Sequence, residues 1–288
     1  MSLRAVMAIC ILTLREVARR RLLWILLGVS VVSALLVGWV VTQLVDYARS
    51  GGMSEVRIGL GVSQVLVFVA FMFSFVLAMS AAFLAAPAIA GDIESGTLLA
   101  MMARPISRAD LVLGRWLGLC LVTATYAIAS GVLAIGVVAQ VSGYSPPDPG
   151  VAIGGLMGEA IATLTLALAL GTRLPAIAAG SISVVCFGLS WFGGVLASAA
   201  GLLRAEALVP SMDGLRLLMP TDLLWRGVVH ALEPPLVLLA ARGIDPRSFA
   251  SDPFFAIAPV SLGALTWTVV WIVGVLLVGM VAFGRREL

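Results

Sequence analysis

Side chains that could do catalytic chemistry are few in this sequence of 288 residues. His230 is the single histidine, and no Gly-x-Ser-x-Gly motif offers it a nucleophile. All 18 basic residues are arginines, so the chain lacks both the lysine of a Walker A phosphate loop and a lysine for a Schiff base. We therefore expect a protein that is not an enzyme by itself and that hydrolyses no ATP alone.

Metal and disulfide chemistry also lack the necessary residues. One histidine with Glu233 nearby is a poor ligand set, and we predict no bound metal. The three cysteines, Cys10, Cys120 and Cys186, lie far apart in or beside apolar runs. This placement favours buried thiols that behave as small hydrophobic residues over disulfides.

The remaining polar residues with functional spacing form one loop, residues 91–110, between two apolar runs. Asp92 is predicted to cap the start of a short helix, and Pro105 to end it. Ser107 and Asp110 form a Ser-x-x-Asp box that starts the next helix. The short helix would carry Leu98, Leu99, Met101 and Met102 near one another. Such an element, joined to two long apolar segments, could transmit a push from a soluble partner.

The elements that position this loop are predicted to be membrane helices. The sequence is 61% hydrophobic and 11% charged, with a mean hydropathy of +1.12, whereas a soluble domain carries about 25% charged residues. At about 20 apolar residues per crossing, we predict an all-α polytopic membrane protein with a single transmembrane domain over 1–288. The predicted spans are 22–45, 60–90, 111–141, 151–171, 175–200 and 259–283.

Arginine placement predicts the orientation. Eleven of the 18 arginines fall before span 1, in the loop after span 2 together with the start of span 3, in the loop after span 4, and at the C-terminus. Because arginine-rich loops stay cytoplasmic, both termini are predicted to face the cytoplasm, with the chain in the cell membrane. Residues 201–258 then form an external helical segment, whose apolar stretch at 234–241 is too short to cross. Within it, Asp222 and Arg226 are predicted to form a helical ion pair.

Residues 1–21 predict an amphipathic elbow helix that leads into span 1. On a helical wheel its apolar residues share one arc and most of its arginines the other, while Ile9 and Leu12 fall on the polar side. The apolar arc holds Leu3, Val6, Met7, Cys10, Ile11, Leu14, Val17 and Ala18. The alternative, a cleavable signal peptide, would need a small-residue cleavage site that the sequence does not show.

The polar loop and the start of span 3 resemble the signature of type-2 ATP-binding-cassette (ABC) transporter permeases. In that signature an acidic residue, Gly-Thr, a hydrophobic stretch, Pro, Ser-Arg and Gly-basic-x-x-Gly follow in order. The matching residues are Glu94, Gly96, Thr97, Leu98, Pro105, Ser107, Arg108, Gly114, Arg115 and Gly118. Arg115 stands where the family often has lysine. A weaker match at 219–226 is similar to the permeases of nitrous-oxide-reductase maturation.

The resemblance implies a permease subunit of an ATP-driven transporter, functioning as an exporter. It also implies two copies of a separate ABC ATP-binding subunit, which would bind ATP and Mg, and a second permease copy (a homodimer) or a paralogue. This chain would hold no cofactor itself. Few charged residues inside the spans favour an apolar or amphipathic cargo. Membrane lipids, and no nucleic acid, are the other expected partners.

The resemblance places the ATPase contact on a coupling helix in the polar loop. The contact residues would be Asp92, Glu94, Gly96, Thr97, Leu98, Met101, Met102, Arg104, Pro105, Ser107 and Arg108. Two other interpretations stay open. Glu94 could favour the dipole at the start of a short helix, and Arg104 and Arg108 could fix the topology or bind anionic headgroups.

Two features inside the spans could form a transport pathway. A stripe on span 2 consists of Phe68, Phe71, Met72, Phe75 and Met79. It could line a path for an apolar cargo, although helix packing or lipid contact is the favoured explanation. Glu159 is the acid closest to the centre of a span; it is either an intramembrane site or, as favoured here, an anchor at the external interface.

Other classes of protein remain as alternatives. A stand-alone secondary transporter or channel would need ionisable relays inside the spans, and Glu159 is the one candidate. An intramembrane enzyme would need a nucleophile and a base within the spans, and the single histidine lies outside them. A membrane scaffold without transport agrees equally well with the composition.

Overall fold

A computed structural model describes residues 2–19, 21–97, 107–202, 209–235, 254–256 and 258–286. These ranges contain ten α-helices and no β-strand. Six of the described helical segments are long and apolar enough to cross a membrane. The prediction of an all-α polytopic membrane protein with six spans is confirmed. The helices are α1 (Leu3–Ala18), α2 (Arg21–Ser50), α3 (Glu55–Ala85), α4 (Pro87–Glu94), α5 (Arg108–Ser142), α6 (Pro149–Gly171), α7 (Ala176–Leu202), α8 (Val209–Leu218), α9 (Thr221–Leu232) and α10 (Leu262–Gly284).

The spanning segments are formed by α2, by α3 with α4, and by α5, α6, α7 and α10. Pro87 separates α3 from α4, because proline is tolerated in the first turn of a helix but cannot donate a backbone hydrogen bond within one. The helical path nevertheless continues from Glu55 to Glu94. The second span therefore extends beyond its predicted end at residue 90 and carries the first acidic residues of the polar loop.

Helix α6 lies at the centre of the bundle and contacts α3, α5, α7, α9 and α10. In an apolar 18-residue stretch of α6, 61% of the residues are buried inside the structure. The corresponding share is 17% in α2 and 17% in α10. The two outer helices thus turn most of their apolar side chains outward. In a membrane, those side chains meet lipid or another subunit.

Ser2 and Arg286, the first and last described residues, lie at the same end of the bundle. The backbone N–H of Ser2 donates to Asp110 Oδ1 at 3.1 Å, and Arg286 Nη1 donates to the carbonyl of Thr172 at 2.7 Å. We call this end the terminal face. It also carries the close of α4 and the start of α5, so the predicted polar loop leaves and re-enters the bundle here.

Helix α1 packs along the first half of α5, and its buried face differs from the predicted apolar arc. Ile9, predicted to lie on the polar side, is buried, while Leu3 and Met7 are exposed. The reason lies in the partner helix, because Gly114 and Gly118 of α5 have no side chains and α1 approaches them closely. This Gly-x-x-x-Gly pair is therefore used for a contact within the chain.

Helices α8 and α9 lie between α7 and α10 in the chain, as the external segment was predicted to do. Helix α9 packs on α6, where Gly155 and Gly158 leave room for Leu224 and Val228. Residues 236–253, with most of the apolar stretch 234–241, lie outside the described residues.

Candidate functional site at the terminal face

Arg115 joins three helices at the terminal face. Its side chain projects from α5, is 4% exposed as a residue, and forms ion pairs with Glu16 of α1 and Asp92 of α4. The Nη2 to Asp92 Oδ2 distance is 2.8 Å. A guanidinium presents several donors in a fixed fork, so one arginine can hold two carboxylates. Arg115 therefore links the N-terminal helix and the end of the second span to the third span.

The predicted role of Asp92 as a helix cap is wrong. Asp92 lies near the end of α4, which begins at Pro87, rather than at the start of a helix. Thr97 Oγ1 donates to the Asp92 carbonyl at 3.3 Å, and Gly96 takes a φ of +71°. That left-handed conformation is the one at which glycine commonly terminates a helix. The turn directs the chain out of α4 towards residue 98.

The central part of the polar loop, residues 98–106, lies outside the described residues. It includes five of the residues predicted for the ATPase contact, namely Leu98, Met101, Met102, Arg104 and Pro105. The coupling helix itself therefore stays a prediction. The residues on both sides of the gap are described, and their contacts define how this segment is attached to the bundle.

On the N-terminal side of residues 98–106, Glu94 contacts the fifth span. Its Oε1 accepts a hydrogen bond of 3.2 Å from the backbone N–H of Ala176, the first residue of α7. A carboxylate at this position satisfies an unpaired helical donor and interacts favourably with the helix dipole. Glu94 was considered as a carboxylate that favours the dipole of a short helix in the loop. The structure places it at the start of α7, where the same kind of interaction occurs.

On the C-terminal side of residues 98–106, Arg108 contacts the last span. Its Nη1 donates to the carbonyls of Phe283 at 2.9 Å and Gly284 at 3.3 Å, and also to that of Arg286. The guanidinium carbon lies 5.6 Å from the centroid of the Phe283 ring. A cation at the carboxyl end of a helix neutralises its exposed carbonyls, so Arg108 caps α10.

Ser107 starts α5 as predicted. Its Oγ accepts a hydrogen bond of 3.1 Å from the backbone N–H of Asp110. Asp110 is buried and its carboxylate receives the N–H of Ser2, which brings the beginning of α1 to the same place. The Ser-x-x-Asp box therefore fixes both the start of the third span and the position of the N-terminal helix.

Glu159 lies inside the bundle. It is the eleventh of the 23 residues of α6, is 1% exposed, and accepts a hydrogen bond from Ser74 Oγ of α3. An interfacial anchor would reach the headgroups, so that interpretation is wrong. Glu159 Oε1, Trp191 Nε1 and Thr221 Oγ1 have no hydrogen-bond partner in the structure, and all three residues line one small pocket.

The predicted pathway stripe on α3 divides into two groups. Phe71 and Phe75 point inward, and the Phe71 ring centroid lies 5.0 Å from that of Trp191 and 5.6 Å from that of Trp225. Phe68, Met72 and Met79 are exposed on the outer surface. Packing thus explains the inner group, and the outer group faces lipid, a second subunit or a passing molecule.

The sequence matches a known family over nearly its whole length. Residues 7–288 match the family described as ABC-2 family transporter protein. The chain belongs to the ABC-2 transporter family. It is therefore a multi-pass membrane permease subunit of an ABC transporter, and membership of this family implies an ABC ATP-binding partner in general. A comparison with curated proteins found no match.

The single histidine of the permease, His230, lies in α9. No group of three or more His, Cys, Asp or Glu side chains that could hold a metal ion occurs among the described residues. Partial burial lowers the pKa of His230, an effect that the nearby Asp148 opposes. Glu233 is buried and accepts a hydrogen bond from the backbone N–H of Ala256. Its carboxylate thus contacts the chain just before α10.

The ion pair predicted between Asp222 and Arg226 of the permease is confirmed, with a second partner. Arg226 Nε lies 3.4 Å from Asp222 Oδ2, and Arg216 Nε of α8 lies closer, at 2.7 Å. Asp222 is buried, and Arg226 also donates to the carbonyl of Gly194 in α7. This cluster joins α7, α8 and α9 at the end of the fifth span.

Proposed function

We propose that this permease is the membrane subunit of an ATP-driven exporter and that its ABC ATP-binding subunit docks on residues 92–108 at the terminal face. One observation carries the proposal. The described residues on either side of 98–106 are attached to separate spans, Glu94 to α7 and Arg108 to α10. A displacement of this segment would therefore act on several membrane helices at once.

Other contacts at the terminal face suggest how a displacement of residues 92–108 would spread to neighbouring helices. Arg115 couples α4 to α1 and α5 through its two ion pairs. If closure of the ATP-binding subunits pushes the segment, α4 and α5 would tilt together and α1 would follow them. Two copies of the partner subunit would bind ATP and Mg. A second permease, identical or paralogous, would provide the opposing wall of the pathway.

The terminal face would be cytoplasmic, in the cell membrane. Arg15, Arg108 and Arg286 are among the described arginines at this end, and arginine-rich loops remain on the cytoplasmic side. This orientation places the docking segment where a soluble ATP-binding subunit can reach it. Similarity to the nitrous-oxide-reductase-maturation permeases stays a prediction that depends on residues 219–226.

The cargo would be apolar or amphipathic. The outward surface of α3 carries Phe68, Met72 and Met79, which are all exposed. Phe71, Phe75 and Glu159 lie behind this surface and would support it. A bare ion would need a ring of carboxylates or carbonyls, whereas this surface offers hydrocarbon and aromatic contacts.

Co-purification tests the docking surface. Tagged permease extracted from its native membrane is expected to bring down a Walker A protein and ATPase activity. Glu94→Arg is expected to lower both at least tenfold, because it places a cation at the start of α7 and beside the proposed contact. Glu55→Arg is the matched control, since Glu55 is an exposed acid at the start of α3, paired with Arg49; it should retain the partner.

The controls make failure easy to recognise. Both variants should be compared with the parent chain for monodispersity and melting temperature, so that misfolding is not read as lost binding. Recovery of the permease without any ATP-binding protein would contradict the proposal. Equal recovery of the partner with Glu94→Arg would move the docking site away from this segment.

A further inference from the structure

A cavity of about 350 Å³ opens between α2, α3, α5 and α6. Its walls are mostly apolar and include Ala34, Phe68, Met72, Ala134, Ile153 and Leu156. Phe68, at 54% exposure, and Met72 border the opening towards the outside of the bundle. The volume falls in the range of small-molecule pockets, which is roughly 300–1,000 Å³.

Three hydroxyl groups from α2 and α5 meet at this cavity. Ser30 Oγ lies 3.0 Å from the carbonyl of Leu26 and 2.7 Å from Tyr126 OH, and Ser130 Oγ donates to Ser30 Oγ at 3.2 Å. Tyr126 OH is also 3.5 Å from the Leu26 carbonyl. Ser30, Tyr126 and Ser130 all line the cavity, and we call them the hydroxyl cluster.

Hydrogen counting shows what the hydroxyl cluster offers a ligand. Each hydroxyl has one hydrogen and two acceptor lone pairs. The Leu26 carbonyl takes one hydrogen, from Ser30 or from Tyr126, and the other two hydrogens are used between the hydroxyls. In either arrangement no hydrogen is left over, so the cluster presents acceptor lone pairs to the cavity.

We propose that this cavity binds a single hydrocarbon chain that carries one hydrogen-bond donor, an alcohol O–H or an amide N–H. The apolar walls match the chain, and the donor matches the acceptors of Tyr126 and Ser130. Apart from the hydroxyl cluster and Ser33, all the lining residues are apolar. Water against those walls would lack the two to four polar partners that a buried water needs. The site depends on no property of the ATP-binding partner.

The same chemistry could come from the bilayer or from the cargo. A resident lipid with a hydroxyl or amide in its interfacial region and an amphipathic cargo molecule would both offer a chain and a donor. The two sources differ in their response to nucleotide. A cargo molecule should leave the site during ATP turnover, whereas a resident lipid should stay.

A second apolar cavity provides an internal control. It has a volume of about 510 Å³ and lies between α6 and α10, where Trp267, Val270 and Gly274 are among its lining residues. None of its lining residues within the described chain carries a hydroxyl group. A chain with an alcohol should therefore have no hydrogen-bonding advantage there over the same chain with a methyl ether.

Photolabelling of the full-length permease in phosphatidylcholine nanodiscs tests the proposal. The probes are a diazirine-bearing dodecanol and its methyl ether, and labelled peptides are read by mass spectrometry. We expect the alcohol to label α2, α3 and α5 about fivefold more than the ether, the ratio that one hydrogen bond of about 1 kcal/mol gives. The peptides of α6 and α10 that line only the second cavity should show a ratio near one.

Variants assign the preference to named atoms. Tyr126→Phe with Ser130→Ala should bring the ratio at the first cavity to near one, and Ala134→Leu should lower labelling by both probes because it fills the space. Thr125→Ala is the matched control, since Thr125 is exposed on the same helix and its hydroxyl bonds to the Leu121 carbonyl. It should leave the ratio unchanged.

Equal labelling by alcohol and ether in the parent chain would overturn the proposal, as would a preference that survives Tyr126→Phe with Ser130→Ala. A further arm adds the co-purified ATP-binding subunit and ATP. Loss of alcohol labelling during turnover identifies the occupant as cargo, and unchanged labelling identifies a resident lipid; both results retain the site. The binding arm needs no partner, so it stands even if no ATP-binding subunit is recovered.

Discussion

Arg115→Leu is expected to destabilise the permease by about 2–3 kcal/mol, because it leaves two carboxylates without their common partner. Arg115 is nearly fully buried between α1, α4 and α5, while the Glu16 and Asp92 side chains are 41% and 21% exposed. Removing one partner of a fully buried pair costs about 3–5 kcal/mol. Solvent at the two acids reduces that cost, and the long aliphatic part of Arg115 adds lost packing.

Thermal unfolding in one detergent checks this expectation. Arg115→Lys should fall between the parent and Arg115→Leu, because an ammonium lacks the fork that holds both acids. The matched control is Arg49→Leu, which removes an exposed ion pair with Glu55 at the other end of α2. Such pairs contribute about 0.5 kcal/mol. A melting temperature for Arg115→Leu as high as that of Arg49→Leu would contradict the structural role given to Arg115.

Gly114→Ala is expected to separate α1 from α5 and to cost about 1–3 kcal/mol, the usual penalty for overpacking. A Cβ on Gly114 would lie 2.6 Å from Ile9 Cβ and 2.9 Å from the Val6 carbonyl oxygen. The neighbouring backbone cannot rotate away as a long side chain could. The same change at Gly118 would place a Cβ 2.8 Å from Thr13 Cβ and 3.0 Å from the Cys10 carbonyl oxygen.

The control for this prediction lies on the same helix. A Cβ on Gly136 of α5 would meet no neighbouring side chain or helix within 4 Å. Gly136→Ala should therefore keep or raise stability, since alanine favours helices more than glycine does. Limited proteolysis of α1 and the melting temperature are the readouts. If Gly114→Ala behaves like Gly136→Ala in both, the close contact of α1 with α5 is refuted.

Local patterns in the sequence predicted local structure well. The apolar runs predicted six spans because each crossing needs about 20 apolar residues. Ser107 and Asp110 predicted the start of α5 because a capping bond joins residues three positions apart, and the structure contains that bond. Asp222 and Arg226 were paired correctly for the same reason of helical spacing.

Contacts between distant segments were missed. Glu16 and Arg115 are 99 residues apart, and neither spacing nor composition indicates which of several acids an arginine will meet. The motif singled out Arg115 in the sequence. Its burial between two acids depends on how the helices pack, which no local pattern indicates. The one available signal was the charge of Arg115 itself, placed inside an otherwise apolar span.

Side-chain direction was the second source of error. A helical wheel compares residues of one helix only, and it placed Ile9 among polar residues. The burial of Ile9 depends on another helix, where Gly114 has no side chain. Glu159 was assigned to the interface because a charge inside a membrane is costly. The hydroxyl of Ser74 on another helix, which the sequence of α6 cannot reveal, supplies its hydrogen bond.

Site-specific photocrosslinking tests most directly whether the ATP-binding subunit docks at the terminal face. A benzoylphenylalanine replaces Thr97, an exposed residue within the docking segment, or Met53, an exposed residue between α2 and α3 at the other end of the bundle. We predict a nucleotide-dependent crosslink to a Walker A protein from position 97 and none from position 53. A crosslink from position 53 alone, or from neither position in a complex that hydrolyses ATP, would contradict docking at the terminal face.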